Sequence, residues 1–273
     1  MGAPDTDRSM LEARLSDAVA RTEKGMVAVL PYLTPRGQKQ AQQLLRQQGL
    51  WGNAWIYGGY PTAERACLFL LPDYLPPLLS APIEECPPEE LSALIEEEIS
   101  HWIFPVRIKG SGYRELTHRD YLGSLLGLGL ERDALGDIAV QDPHEAVVFC
   151  SRTIGEFLLT GLDKVASDTV RCSPYTLDAT FTDGRHYRPI HDTVASPRLD
   201  CVVAALTNLS REEAQRAVTG GLVEVDFEPV DRVDLLLSPP ATVSVRGFGR
   251  YILRTFDGET KKGRLRLRAD RLI

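Results

Sequence analysis

The sequence has no hydrophobic run near the roughly 20 residues that a membrane-spanning helix needs, so no such helix is expected. Cysteine is sparse and odd in number: Cys67, Cys86, Cys150, Cys172 and Cys201. No two are spaced Cys-x-x-Cys, which argues against a zinc ribbon and a disulfide framework. It points to reduced, mostly buried thiols in a cytoplasmic protein. The first residues are polar and acidic, so no secretory leader is expected. Met1-Gly2-Ala3-Pro4-Asp5-Thr6 meets the loose N-myristoylation pattern but reads as a chance match, with Pro4 and Asp5 inside it.

Catalytic signatures are also missing. Gly110-Ser111-Gly112-Tyr113-Arg114-Glu115 lacks the third glycine of a dinucleotide loop, and the 258–263 stretch lacks the Lys-Ser/Thr of a phosphate loop. His118-Arg119-Asp120 resembles a kinase catalytic triplet without the glycine-rich loop, strand lysine or Asp-Phe-Gly that kinases require. His186 and His191 have no thiol nearby, so no metal site is expected, nor any cofactor. A non-enzyme is the resulting expectation.

Charge is what the chain does have, unevenly placed. The formal net charge is −7, which taken alone opposes nucleic-acid binding. Residues 196–273 carry 13 basic and 11 acidic side chains, a net of +2 that leaves −9 for the rest. From residue 241 onward nine basic residues face three acidic ones. An acidic body with a basic end suits a protein that meets polyphosphate at one end.

Hydrophobic periodicity gives an α+β chain. A helix is expected over 7–21, a strand over 26–33, a helix from Thr34-Pro35 to Gln48, and strands over 51–57 and 66–71. Five prolines between 72 and 87 mark a connector. A helix over 89–99 and a strand over 102–109 follow. Thr117 caps a helix whose third residue is Asp120, strands follow near 138–140 and 146–150, then a helix from Ser151 and a strand over 169–172. This split β-α-β order is the one that ferredoxin-like and RNA-recognition folds use. The expected organisation is an N-terminal α/β unit (1–85), a ferredoxin-like, RRM-like middle domain (86–177), a polar linker (178–195) and a C-terminal domain (196–273).

In that last quarter Leu199, Val202, Val203 and Leu206 share a helix face, and Ser210 with Glu213 forms a capping box. Ala214, Ala217 and Val218 repeat the helical spacing, and Gly220-Gly221 ends it. Two small helices followed by a strand pair resemble the S-four-type RNA-binding domain, named for ribosomal small-subunit protein four. Arg198-Leu199-Asp200, Ser210-Arg211 with Ala214, Gly221-Leu222-Val223-Glu224-Val225 and the closing strand into Arg246 carry that resemblance. Asp226 and Pro240-Ala241 stand where the family has asparagine and Gly-Asp. Leu265 and Leu267 alternate with Arg264, Arg266 and Arg268, so a strand there would show an arginine row at roughly 6.8 Å spacing.

Further motifs extend the likeness. Gly58-Gly59-Tyr60-Pro61 with Glu64-Arg65, Leu116-Thr117-His118-Arg119-Asp120-Tyr121-Leu122-Gly123, Leu128-Gly129-Leu130, Gly136-Asp137-Ile138, Thr193-Val194-Ala195-Ser196 and Arg246-Gly247-Phe248-Gly249-Arg250 together resemble the YlmH family of bacterial RNA-binding proteins. The resemblance implies a cytoplasmic protein that binds the large ribosomal subunit, contacts ribosomal RNA and peptidyl-tRNA, and acts in quality control of stalled translation. A monomer is expected, with ribosomal proteins as further candidate partners.

Candidate RNA contacts are Arg198, Ser210, Arg211, Arg216, Arg246, Arg250, Lys261, Lys262, Arg264 and Arg266. Guanidinium groups bind phosphate bidentately, and helix starts add amide donors. His118, Arg119 and Arg65 are candidates for a second RNA or docking face. Two rivals stay open. One is an RNA-modifying enzyme, of pseudouridine synthase or methyltransferase class, tethered by the same module. The other is a cell-division interaction factor.

Overall fold

The computed structural model describes residues 3–178 and 180–273, with side chains from residue 8 onward. The myristoylation-like start at Met1-Gly2 lies outside the described residues. The chain divides into two compact units, Met1–Gly184 and Arg185–Ile273.

The first unit begins with α1 (Ala3–Thr22), β1 (Ala28–Leu33), α2 (Pro35–Gln47), β2 (Ala54–Tyr57) and β3 (Ala66–Leu70). The Thr34 hydroxyl accepts the Gly37 amide at 3.1 Å, and Pro35 opens α2 where no amide partner is needed. The strands form an antiparallel sheet in the order β1-β3-β2. Its one face packs on Leu11, Leu15, Ala41 and Leu45 of α1 and α2.

The helix expected over 89–99 is two short ones, α3 (Pro88–Leu94) and α4 (Glu96–Trp102). Ile95 leaves helical geometry (φ −125°, ψ 45°) while its side chain enters the core. There follow β4 (Phe104–Gly110), α5 (His118–Gly127), β5 (Leu135–Asp142), β6 (Glu145–Cys150), α6 (Arg152–Gly161), β7 (Lys164–Val165) and β8 (Asp168–Pro174). Every neighbouring pair in the sheet β5-β6-β4-β8-β7 is antiparallel. Thr117 caps α5 as expected, and the Asp120 carboxylate completes a capping box by accepting the Thr117 amide. Tyr121, Leu125 and Leu158 of α5 and α6 cover one sheet face, formed by Val106, Ile108, Ala146 and Val148.

The other face meets the first sheet. Tyr32, Trp55, Cys67 and Phe69 share a buried cluster with Ala139, Val147 and Phe149. The 1–85 and 86–177 stretches, expected as separate units, are therefore one. β6 is apolar on both faces, and a second sheet is what buries the outer one.

A buried polar knot fixes this junction. Asp137 accepts hydrogen bonds from the Tyr60 hydroxyl at 2.6 Å, the Glu64 amide at 2.8 Å and the Arg65 amide at 3.0 Å. Arg65, only 6% exposed, donates to the carbonyls of Leu135, Tyr32 and Arg132 and to Asp133. Two glycines permit the approach. A Cβ on Gly59 (φ +100°) would meet the Phe149 ring at 2.7 Å, and one on Gly136 would meet the Tyr32 ring at 2.5 Å.

The second unit comprises β9 (Tyr187–Val194), α7 (Leu199–Thr207), α8 (Arg211–Thr219), β10 (Val223–Val225), β11 (Glu228–Pro229), β12 (Ala241–Val245), β13 (Gly249–Glu259) and β14 (Leu265–Leu272). Its sheet runs β11-β10-β12-β13-β14-β9, with all neighbours antiparallel. The stretch read as a linker thus supplies an edge strand. Its polar sequence hides it because Ile190 and Val194 alone turn toward the core while the rest faces water. Leu199, Val202, Val203, Leu206, Ala214 and Val218 bury against Val243, Val245, Tyr251, Leu253 and Leu267. At the departure from the S-four-type pattern, Asp226 takes a left-handed turn (φ 50°), and its carboxylate accepts the Thr242 amide at 2.8 Å. Aspartate tolerates that backbone, as asparagine does.

Candidate nucleic-acid interface

In the second unit the first helix turn holds a fully buried carboxylate, Asp200. Its Oδ1 accepts Arg198 Nε and the Cys201 amide, each at 3.0 Å. Its Oδ2 accepts Arg198 Nη2 at 3.2 Å, Arg211 Nε at 3.2 Å and Gln215 Nε2 at 2.8 Å. Burial alone would raise the Asp200 pKa. The bonds from Arg198, Gln215 and Arg211 outweigh it and hold the group well below the usual carboxylate range.

Two guanidiniums share one carboxylate, so positive charge remains. Arg211 uses only Nε on Asp200 and stays 60% exposed at the first position of α8. The rest of that guanidinium faces solvent, free to meet an anion bidentately. Sequence reasoning placed Arg198 and Arg211 but missed what aligns them. Gln215 lies four residues beyond Arg211 on the same helix face, a spacing that could have revealed it.

The remaining predicted residues distribute as follows. The Ser210 hydroxyl belongs to the α8 capping box, accepting the Glu213 amide and donating to its carboxylate at 2.7 Å. Arg216 is exposed, with Glu213 one turn away. Arg246 is exposed in the turn between β12 and β13, not on a strand. Arg250 lies over the Phe227 ring at 5.2 Å.

β14 alternates as its sequence indicates, with Leu267 and Ala269 buried and Arg266 and Arg268 exposed. The helices cover the apolar side of the sheet. The other side carries Arg250, Arg254, Arg264, Arg266 and Arg268. Acidic neighbours neutralise two of these: Arg254 pairs with Asp270 at 2.7 Å, and Arg268 pairs with Asp257. Arg264 donates to the Thr193 hydroxyl at 2.9 Å on the neighbouring strand. Arg266 is exposed, as are Lys261 and Lys262 in the β13–β14 turn.

In the first unit His118 and Arg119 are exposed at the start of α5. Arg65 is a correction: as the hub of the buried knot it presents no surface. Its guanidinium satisfies backbone carbonyls that the meeting of two sheets would otherwise strand. Among the described residues no group of three or more His, Cys, Asp or Glu side chains could hold a metal. None of their helices is long and apolar enough to cross a membrane.

Fold and surface together define a two-unit α+β protein whose cationic groups concentrate on its smaller unit. Residues 98–179 match the family model described as "Putative RNA-binding domain in YlmH". The chain is 30% identical over 265 residues to the ribosome-associated protein quality control protein P2 of Bacillus subtilis, covering 97% of this chain and 95% of that one. It therefore belongs to the YlmH family. A solved structure, the cell division protein ylmH from Streptococcus pneumoniae, aligns with a TM-score of 0.47 at 21% identity, over 63% of this chain and 92% of that one.

Proposed function

We propose that this chain is a non-enzymatic RNA-binding protein of the bacterial cytoplasm. It grips structured ribosomal RNA on the large subunit during quality control of stalled translation, with peptidyl-tRNA as a second contact. In this reading residues 196–273 form an S-four-type module preceded by the β9 strand, and residues 104–174 form a ferredoxin-like domain. The observation that carries it is the Asp200 hub. One buried carboxylate orders two arginines at the starts of two helices, which fixes guanidinium positions before RNA arrives and lowers the entropy lost on binding. The name of the Bacillus relative, a ribosome-associated quality control protein, supports the ribosomal partner.

Reversing charge at Arg211 and Arg266 together tests it. The Arg211→Glu, Arg266→Glu variant is expected to lose co-sedimentation with large subunits at physiological salt. The slope of log affinity against log salt should shrink by about 0.7–0.9 for each lost phosphate contact. Unchanged co-sedimentation would sink the reading. Modified nucleotides after incubation with ribosomal RNA would instead favour an enzyme.

A further inference from the structure

Ferredoxin-like RNA binders generally read bases on the open face of the sheet, with aromatic side chains of the two central strands as stacking platforms. Here the central strands are β4 and β6. The outward residues of β6, Val147 and Phe149, are fully buried against the first sheet. Phe149, the aromatic in a platform position, packs on Tyr60 at 5.0 Å and Phe181 at 5.7 Å. On β4, Arg107 pairs with Glu145 and lies over Tyr175 at 4.7 Å. No base can reach Val147 or Phe149 without opening the core of the unit.

One aromatic is instead displayed at the edge. Tyr113, in the β4–α5 loop, is 81% exposed, the most exposed large hydrophobic side chain among the described residues. The loop around it is held at both ends. Gly110 and Ser111 amides donate to the His144 and Thr169 carbonyls at 2.7 and 2.9 Å. The Ser111 hydroxyl binds buried Asp168 and accepts the Tyr113 amide at 3.3 Å. The Leu116 amide donates to the Pro143 carbonyl at 2.7 Å, and Arg114 reaches Asp120 at 3.2 Å. Lys109 and Arg171, opposite each other on β4 and β8, are exposed beside the loop, as are His118 and Arg119 where α5 begins. Glu115 is the exposed carboxylate of the loop itself.

We infer that Tyr113 is the RNA contact of this unit, a stacking platform for an unpaired base, with Lys109, Arg119 and Arg171 as flanking phosphate contacts. This deepens the RNA-binding reading and rests on it. An aromatic ring on a pinned loop loses little conformational freedom when a base stacks on it, and stacking tolerates any base. Around Tyr113 positive charge is modest, so the ring rather than counterion release supplies the affinity.

The test uses the full chain and two fluorescein-labelled RNAs: a hairpin with an unpaired loop, and a fully paired duplex of equal length. Wild type should favour the hairpin. Tyr113→Ala should lower hairpin affinity about ten-fold, the scale of one lost base–aromatic stack, with the salt slope unchanged. Tyr113→Phe should restore it, and thiouridine in the loop should cross-link to Tyr113. Equal hairpin binding by wild type and Tyr113→Ala overturns this inference and leaves the RNA-binding reading standing. Failure of wild type to bind either RNA overturns both. If Tyr113→Ala keeps hairpin binding but loses a ribosomal protein, the ring is a protein contact and the inference is wrong.

Discussion

Arg65 touches two carboxylates, and comparing their removal tests the account of the sheet-to-sheet junction. Asp133 is 78% exposed, and its 3.1 Å contact with Arg65 is screened by water. Asp133→Ala should therefore cost less than about 0.5 kcal/mol, the ordinary scale of a surface substitution. Asp137 is buried and accepts two backbone amides and a tyrosine hydroxyl. Asp137→Ala strands three buried donors, each worth about 1–3 kcal/mol when left unmade. Local relaxation and water entry return part of this, so the expected cost is about 4 kcal/mol. In a unit of this length that lowers the melting temperature by roughly 8–16 °C. Urea denaturation followed by tryptophan fluorescence measures it, since Trp51, Trp55 and Trp102 all lie in the first unit. A loss under 1 kcal/mol for Asp137→Ala would refute the reasoning.

Two further outcomes follow from the same structure. Asp200→Asn keeps the volume but removes the charge that aligns Arg198 and Arg211, so large-subunit affinity should fall even though both arginines remain. Because folding depresses the Asp200 pKa, its carboxylate contributes stability above the unfolded value near about 3.9, and that contribution is lost as pH falls through the folded value. Acid unfolding of the second unit should accordingly flatten below about pH 4 in the variant, and an unchanged acid profile would count against the hub. Burial pushes the thiols of Cys67 and Cys150 up to about 12 and that of Cys172 to about 11. An aromatic disulfide reagent at mild alkaline pH should spare these three in the native protein and reach them all in denaturant, because thiolate is the reactive form. Rapid native labelling of Cys67 would contradict its placement in the core.

Much of the local chemistry was legible in the sequence. The cap at Thr117, the capping box at Ser210, the proline start of α2, the Leu-Arg alternation of β14 and the strand-helix order of residues 104–174 all follow from spacing. Such patterns are satisfied within a few residues, or by one face turning from water. What the spacing cannot carry is which faces meet. Residues Gly58 to Arg65 and Gly136 to Ile138 stand out as motifs, yet only the fold shows that they are one knot, and that it draws Arg65 inside. The same limit governs the arginines. Sequence counts them, but side chains from other elements decide which are neutralised: Asp270 on the adjacent strand takes Arg254, Asp257 takes Arg268, and Asp200 holds Arg198 and Arg211 in place. Sequence determined most of the helices and strands and the cationic bias of the last quarter, but not the β9 edge strand or the break at Ile95. Tertiary structure alone closed the middle sheet to bases and left Tyr113 outside, because burial is settled by the partner a surface finds.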